Sequence, residues 1–155
     1  MNAKNGMREF FHHELCMGTA FRFSGHTPFD PAKTEQLVMQ ACAILHEADR
    51  TFSLYKPESP LSRLARGEAA VRDLPPVVSD IWDACEKWEQ TTDGWFSAFT
   101  PEHTFDPSGI VKTWAAQAAA NYLVGNGLSD ITVNAGGDIW ISDDASGEAD
   151  WRVGL

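Results

Sequence analysis

Apolar positions recur along this chain with two different periods, and the changes of period divide it into elements. From Phe10 to Gly25, apolar and polar residues mix around the β-prone run Phe21-Arg22-Phe23, which predicts one strand or a hairpin pair. Met17-Gly18-Thr19 interrupts that stretch, as a bulge or as a place where backbone approaches a ligand. Asp30-Pro31 then opens a helix in which Leu37, Val38, Ala41, Ile44, Leu45 and Ala48 keep helical spacing. Thr51-Phe52-Ser53-Leu54-Tyr55 is β-prone, and Lys56-Pro57-Glu58-Ser59-Pro60 breaks it into a turn. Ser59 is placed to cap a short helix over Ser62-Arg63-Leu64-Ala65.

Pro75-Pro76 punctuates the chain before a helix from Val77 to Thr91, with Ile81, Trp82, Cys85 and Trp88 as its core stripe. After the turn Asp93-Gly94 comes Trp95-Phe96-Ser97-Ala98-Phe99, and then Phe105-Asp106-Pro107-Ser108-Gly109-Ile110-Val111-Lys112, which opens an alanine-rich helix. Gly125 and Gly127 stop that helix. Strands Asp130 to Asn134 and Asp138 to Ser142 flank Gly136-Gly137, a hairpin turn or a bulge. The turn Asp143 to Glu148 and Trp151-Arg152-Val153 complete a meander.

At 155 residues and 43% hydrophobic content, the chain is long enough for one domain with a sizeable core. Its 12 basic and 22 acidic residues leave a formal charge of −10, which argues against nucleic acid or an anionic membrane surface as the main partner. A phosphate site in such a protein has to be a local positive spot. No apolar run approaches the roughly 18 residues of a membrane span, and Met1 to Glu14 lacks the apolar region of a secretory signal, so the protein reads as cytoplasmic. Cys16, Cys42 and Cys85 are widely spaced and read as small buried apolar residues. His46-Glu47 lacks the second histidine of a zinc protease motif because Arg50 stands there, and His12, His13, His26 and His103 show no metal-ligand spacing.

The candidate chemistry lies at the start of the alanine-rich helix. Asp106 can cap it, Pro107 suits its first turn, Gly109 removes a side chain where N–H groups point outward, and Lys112 adds a positive charge one turn in. That is an anion site in outline, and equally an ordinary capped helix. It is not a Walker loop, since Val111 precedes the lysine, and no Gly-x-Gly-x-x-Gly is present. Tyr55, near Arg63, reads either as a half-buried aromatic at a strand end or as a surface for stacking a ligand ring.

Five short motifs stand in an order that resembles the ApbE family, the FAD:protein FMN transferases. They are Met17-Gly18-Thr19; Phe52-Ser53-Leu54-Tyr55 with Pro57 and Ser62-Arg63-Leu64; Thr92-Asp93-Gly94-Trp95-Phe96; Asp106 to Lys112; and Val133-Asn134-Ala135-Gly136-Gly137-Asp138-Ile139. The resemblance implies an α+β fold of antiparallel strands with packed helices, a single ApbE-like domain over residues 1–155. It also implies magnesium-dependent transfer of FMN from FAD to a Thr or Ser of a target protein, with release of AMP.

Carried over by position, the resemblance makes Met17, Tyr55, Trp95, Phe96, Ser97, Asp106 and Lys112 FAD contacts. Gly109 becomes a Mg2+ ligand through its main-chain oxygen. Thr113 and Gln117 depart from the Gly and Asp common in the family, and Ser97 from a common Asp. The family's other metal ligands, an Asp and a Thr of a late loop, and its proposed catalytic histidine have no counterpart here, so no catalytic residue is assigned. The domain is accordingly expected to be incomplete at its C-terminus. The alternative function is a non-catalytic flavin-binding or interaction protein.

Overall fold

The protein is described by a computed structural model for residues 6–100 and 104–142. Four strands, β1 (Arg8–Cys16), β2 (Thr19–Thr27), β3 (Ser129–Ala135) and β4 (Asp138–Ile141), form one antiparallel sheet in the order β1-β2-β3-β4. Between β2 and β3 the described residues make four α-helices, α1 (Pro31–Phe52), α2 (Pro60–Ala65), α3 (Pro76–Thr91) and α4 (Ser108–Gly125), and a 3-10 turn at Val71–Asp73. This is the α+β architecture expected, with helices collected against one face of the sheet. The turn Asp143 to Glu148 and Trp151-Arg152-Val153 lie outside the described residues.

The stretch from Phe10 to Gly25 is a hairpin pair rather than one strand. Cys16 pairs with Thr19, so Met17-Gly18 is a two-residue turn, with φ of 50° and 70°. Positive φ at both central positions gives the turn a twist that matches the flanking strands, so neither a bulge nor an irregular interruption is needed. Gly136-Gly137 resolves in the same way, as the turn between β3 and β4 with Ala135 opposite Asp138. The bulge lies at Gly25 instead, where the β2–β3 register shifts between Ser24 and His26. A Cβ on Gly25 would stand 2.9 Å from the Ser129 carbonyl oxygen, so the two strands could not approach as they do.

Alternation on β2 sends Phe21 and Phe23 into the core, each essentially free of solvent contact and each contributing about 1.5–3 kcal/mol by burial. Above them lie Leu37, Val38, Ala41, Leu45 and Ala48 of α1 and the small-residue stripe Ala115, Ala116, Ala119, Ala120 of α4. Alanines on that stripe let α4 pack closely against both α1 and β3. α1 starts where expected, with the Asp30 carboxylate accepting the Lys33 N–H at 2.8 Å.

It ends later than the sequence suggests. Thr51 and Phe52 are not a strand but the buried last turn of α1, and the backbone becomes extended only at Ser53. Their β propensity, worth tenths of a kcal/mol, is outweighed by the core contact that Phe52 gains at helical spacing from Leu45 and Ala48. The expected core stripe of α3 is also shorter. Ile81 and Cys85 are buried, while Trp88 is half exposed because little of α3 packs on the rest of the protein.

Candidate functional site

Two segments meet at the N-terminus of α4. The first follows α1. The main-chain oxygen of Ser53 accepts hydrogen bonds from the hydroxyls of both Ser59 and Ser62, the latter at 3.1 Å, while Ser59 Oγ also caps α2 by accepting the Ser62 N–H at 3.0 Å. This hydroxyl knot fixes the tight loop that carries Leu54, Tyr55 and Lys56. Sequence reasoning identified Ser59 only as a cap. The knot had one visible signal, the three serines flanking Tyr55, but their common acceptor is apparent only in the fold.

The second segment is 95–108. Trp82 of α3 packs edge-on at 4.8 Å from Phe99 and tilted at 4.6 Å from Phe105, and Phe99 and Phe105 are bridged as a minimal antiparallel pair. Aromatic pairs of this kind add about 0.5–1.5 kcal/mol beyond burial, enough to hold a short loop against a helix. Phe96 lies against Gly109, where a Cβ would stand 3.1 Å from the ring. Asp106 caps the first turn from one residue outside the expected place, its Oδ1 accepting the Ser108 N–H at 3.0 Å and also the Ser108 hydroxyl. The Pro107 carbonyl oxygen takes the N–H groups of Ile110 and Val111. Gly109 is left as the first-turn donor with no partner among the described residues.

A cleft of about 510 Å³ opens beside this helix start. Met17, Tyr55, Ser108 and Lys112 line it, together with Phe52 and Leu54, so three of the sequence-derived candidates come together. The volume falls in the range of small-molecule sites. Tyr55 is 98% exposed, which rules out the half-buried reading of it. Lys112 makes no ion pair among the described residues, whereas Lys56, on the same cleft, is paired with Asp49. Among the described residues of the cleft, Lys112 is therefore the cation available to a ligand. Met17 sits on the cleft wall at φ 50°, a conformation costing about 1–2 kcal/mol for a residue with a side chain.

Trp95, Phe96, Ser97 and Asp106 do not line this cleft. Trp95 is 94% exposed. Ser97 is engaged locally, its hydroxyl accepting the Phe99 N–H at 3.1 Å, and one oxygen of Asp106 is held by Ser108. Among the described residues, no group of three or more metal-ligating side chains gathers at Gly109. Magnesium usually takes one or two carboxylates besides substrate oxygens, so the described residues around Gly109 do not fit that ion by themselves. The cleft, with aromatic faces beside a lysine and a helix start, does fit part of a dinucleotide.

Residues 98–155 match the family model described as the ApbE family. No curated protein matches the sequence. The fold matches the flavin transferase ApbE from Vibrio cholerae with a TM-score of 0.81 at 16% identity, over 96% of this chain and 64% of that one. The apo form of the Pseudomonas stutzeri flavinyl transferase ApbE matches at 0.76 and 16% identity, over 96% and 65%. The apbe protein from Thermotoga maritima matches at 0.70 and 16% identity, over 86% and 59%. The chain thus spans about two thirds of the length of these proteins. The resemblance read from the ordered motifs is met by the family model over residues 98–155 and by the fold over nearly all of the chain.

Proposed function

We propose that this chain binds FAD at the α4 N-terminus and serves the transfer of its FMN portion to a Thr or Ser hydroxyl of a target protein, releasing AMP. The observation that carries the reading is the meeting of Met17, Tyr55 and the unpaired Lys112 in one cleft beside the start of α4. Tyr55 offers a planar face for a ring. Lys112 offers charge to a phosphate, and its share outweighs that of the helix end. A charge-assisted hydrogen bond contributes about 1.5–3 kcal/mol, whereas the helix dipole gives about 0.3–1 kcal/mol and Asp106 offsets part of that here. The unpartnered Gly109 N–H is a further donor for a phosphate oxygen. Trp95, Phe96, Ser97 and Asp106 would then meet the part of the ligand that passes over the helix start.

In the transfer itself the acceptor hydroxyl oxygen bonds to the FMN phosphorus, the bond to the AMP phosphate breaks, and the hydroxyl proton is lost. Positioning and charge neutralisation are what such a reaction asks of a protein. Lys112 supplies both to the pyrophosphate, and the magnesium the resemblance implies is not placed on the described residues. A second reading, a flavin-binding protein without transfer activity, is favoured by the missing donor set at Gly109.

One experiment separates the two. The chain is titrated with FAD, NAD and ATP while tryptophan emission is followed, then incubated with FAD, magnesium and a protein carrying an acceptor Thr. Preferential quenching by FAD followed by a fluorescent flavin band on a denaturing gel supports transfer. FAD quenching with no band supports the binding protein, and equal or absent responses to all three nucleotides overturn both.

A further inference from the structure

Away from this cleft, the inner face of β1 meets α1 in a cluster of ligating side chains that the proposed function does not use. His12, Glu14 and Cys16 alternate along β1 and so share a face, while Cys42 and His46 are one helical turn apart on α1. The imidazole of His12, the carboxylate of Glu14 and the thiol of Cys42 bring one ligand atom each within 4.8 Å of one another. Glu14 stands at the centre. Its Oε2 lies 3.3 Å from His12 Nε2, and its Oε1 lies 2.9 Å from His46 Nε2. His46 is fixed from its other side by Cys16, Sγ to Nδ1 at 3.5 Å.

We propose that His12, Glu14 and Cys42 form a binding site for a zinc-class divalent transition metal, with His46 as the positioning residue that holds Glu14. Tetrahedral zinc with bonds of about 2.0–2.3 Å separates its ligand atoms by about 3.3–3.8 Å, so the three atoms need only a small closure. Thiolate, imidazole and carboxylate together select borderline metals such as Zn2+ or Co2+ over Mg2+ or Ca2+, which take oxygen. Charge also balances, since one carboxylate and one thiolate neutralise a divalent cation in a place where Cys42 is shielded from water. Burial and the neighbouring Glu14 push the Cys42 thiol up to about 12, so the free protein holds it protonated, and the metal displaces that proton on binding. The hydrogen bond from His46 to the second carboxylate oxygen is the outer contact that such sites use to orient a ligand. A groove of about 400 Å³ carries His12 on its wall, so that ligand is open to the surface. Three protein ligands leave one coordination position for water.

The test is a Co2+ titration of the metal-stripped, reduced full chain. The expected result is one equivalent bound, with a thiolate-to-cobalt charge-transfer band and visible bands of tetrahedral intensity. Zn2+ displaces the cobalt, and excess Mg2+ does not. Cys42→Ser, with its fold checked by circular dichroism, loses the charge-transfer band, and Cys85→Ser keeps it. His46→Gln keeps the band but binds about 10–100-fold more weakly, as loss of an outer contact predicts. Should Cys42→Ser fail to fold, His12→Gln, altered at a partly exposed side chain, decides by losing at least tenfold in affinity. No charge-transfer band in the unaltered chain, a band that survives Cys42→Ser, or unchanged affinity in His12→Gln overturns the proposal.

Discussion

The ring of Phe96 lies against the backbone of Gly109 so closely that a Cβ at 109 would stand 3.1 Å from Phe96 Cε2. This contact ties the loop carrying Trp95 to the first turn of α4. In an open helix, Gly→Ala stabilises by about 0.5–1 kcal/mol. Here the ring must yield a few tenths of an ångström, so Gly109→Ala is expected to be neutral in the native sequence and to regain its full stabilisation beside Phe96→Ala. Urea unfolding of the four proteins of this double-mutant cycle measures the coupling. Additive values would mean that the ring moves aside freely.

Lys112→Ala should weaken FAD binding by about 1–3 kcal/mol and leave unfolding unchanged, because the lysine has no ion pair among the described residues to lose. Lys112→Arg should recover part of the affinity. Calorimetric titration of the three proteins checks this, and equal affinities would return Lys112 to the ordinary helix surface.

Gly136→Ala should destabilise the protein by about 1–2 kcal/mol or more. Position 136 has φ 70°, and Thr19 Oγ1 occupies the space a Cβ would need. Combining it with Thr19→Ala should restore the part due to crowding and not the part due to backbone strain. Thermal unfolding of single and double variants separates the two. The same contact links the Met17-Gly18 turn to the β3–β4 turn, so the loss should also reach the cleft.

Burial alone pushes the Cys85 thiol up to about 11 from an ordinary value of 9.0, and the residue has no exposed surface. The folded state therefore keeps a proton that the unfolded state releases. Stability from this group is complete below about pH 9 and is lost as pH rises toward about 11. The pH dependence of unfolding should accordingly be shallower in Cys85→Ala than in the native sequence across that window. Parallel slopes would show that Cys85 does not titrate there.

Much of this fold was legible because local signals agreed with it. Asp30 caps α1, the turn pairs sit at strand ends, and the Pro107-Ser108-Gly109 start of α4 stands within a residue of its expected place. What escaped the sequence depends on partners distant along the chain. Thr51 and Phe52 prefer strands locally and become helix because the core above Leu45 has room for them. The knot of Ser53, Ser59 and Ser62 needs a turn tight enough to aim two hydroxyls at one carbonyl oxygen. His12 and His46, which show no motif spacing, converge on Glu14 only because β1 and α1 cross there. The site candidates themselves divide, because Met17, Tyr55 and Lys112 line one cleft while Trp95, Phe96, Ser97 and Asp106 do not line it.

The central seam of the sheet joins the two ends of the described chain. Ser24 of β2 shares a hydrogen bond with Thr132 of β3, 108 positions later. During synthesis the β1–β2 hairpin can close as soon as it emerges, yet the free edge of β2, and the faces of Phe21 and Phe23, must wait for every helix to be made. At about 5–20 residues per second that interval lasts on the order of 5–20 s. Long-range pairing of this kind raises contact order and slows folding, and an unpaired edge beside two bare phenylalanines is a template for association. Dilution and low temperature should therefore raise the yield of refolded protein, and expression should gain from chaperones that hold the nascent hairpin until β3 arrives.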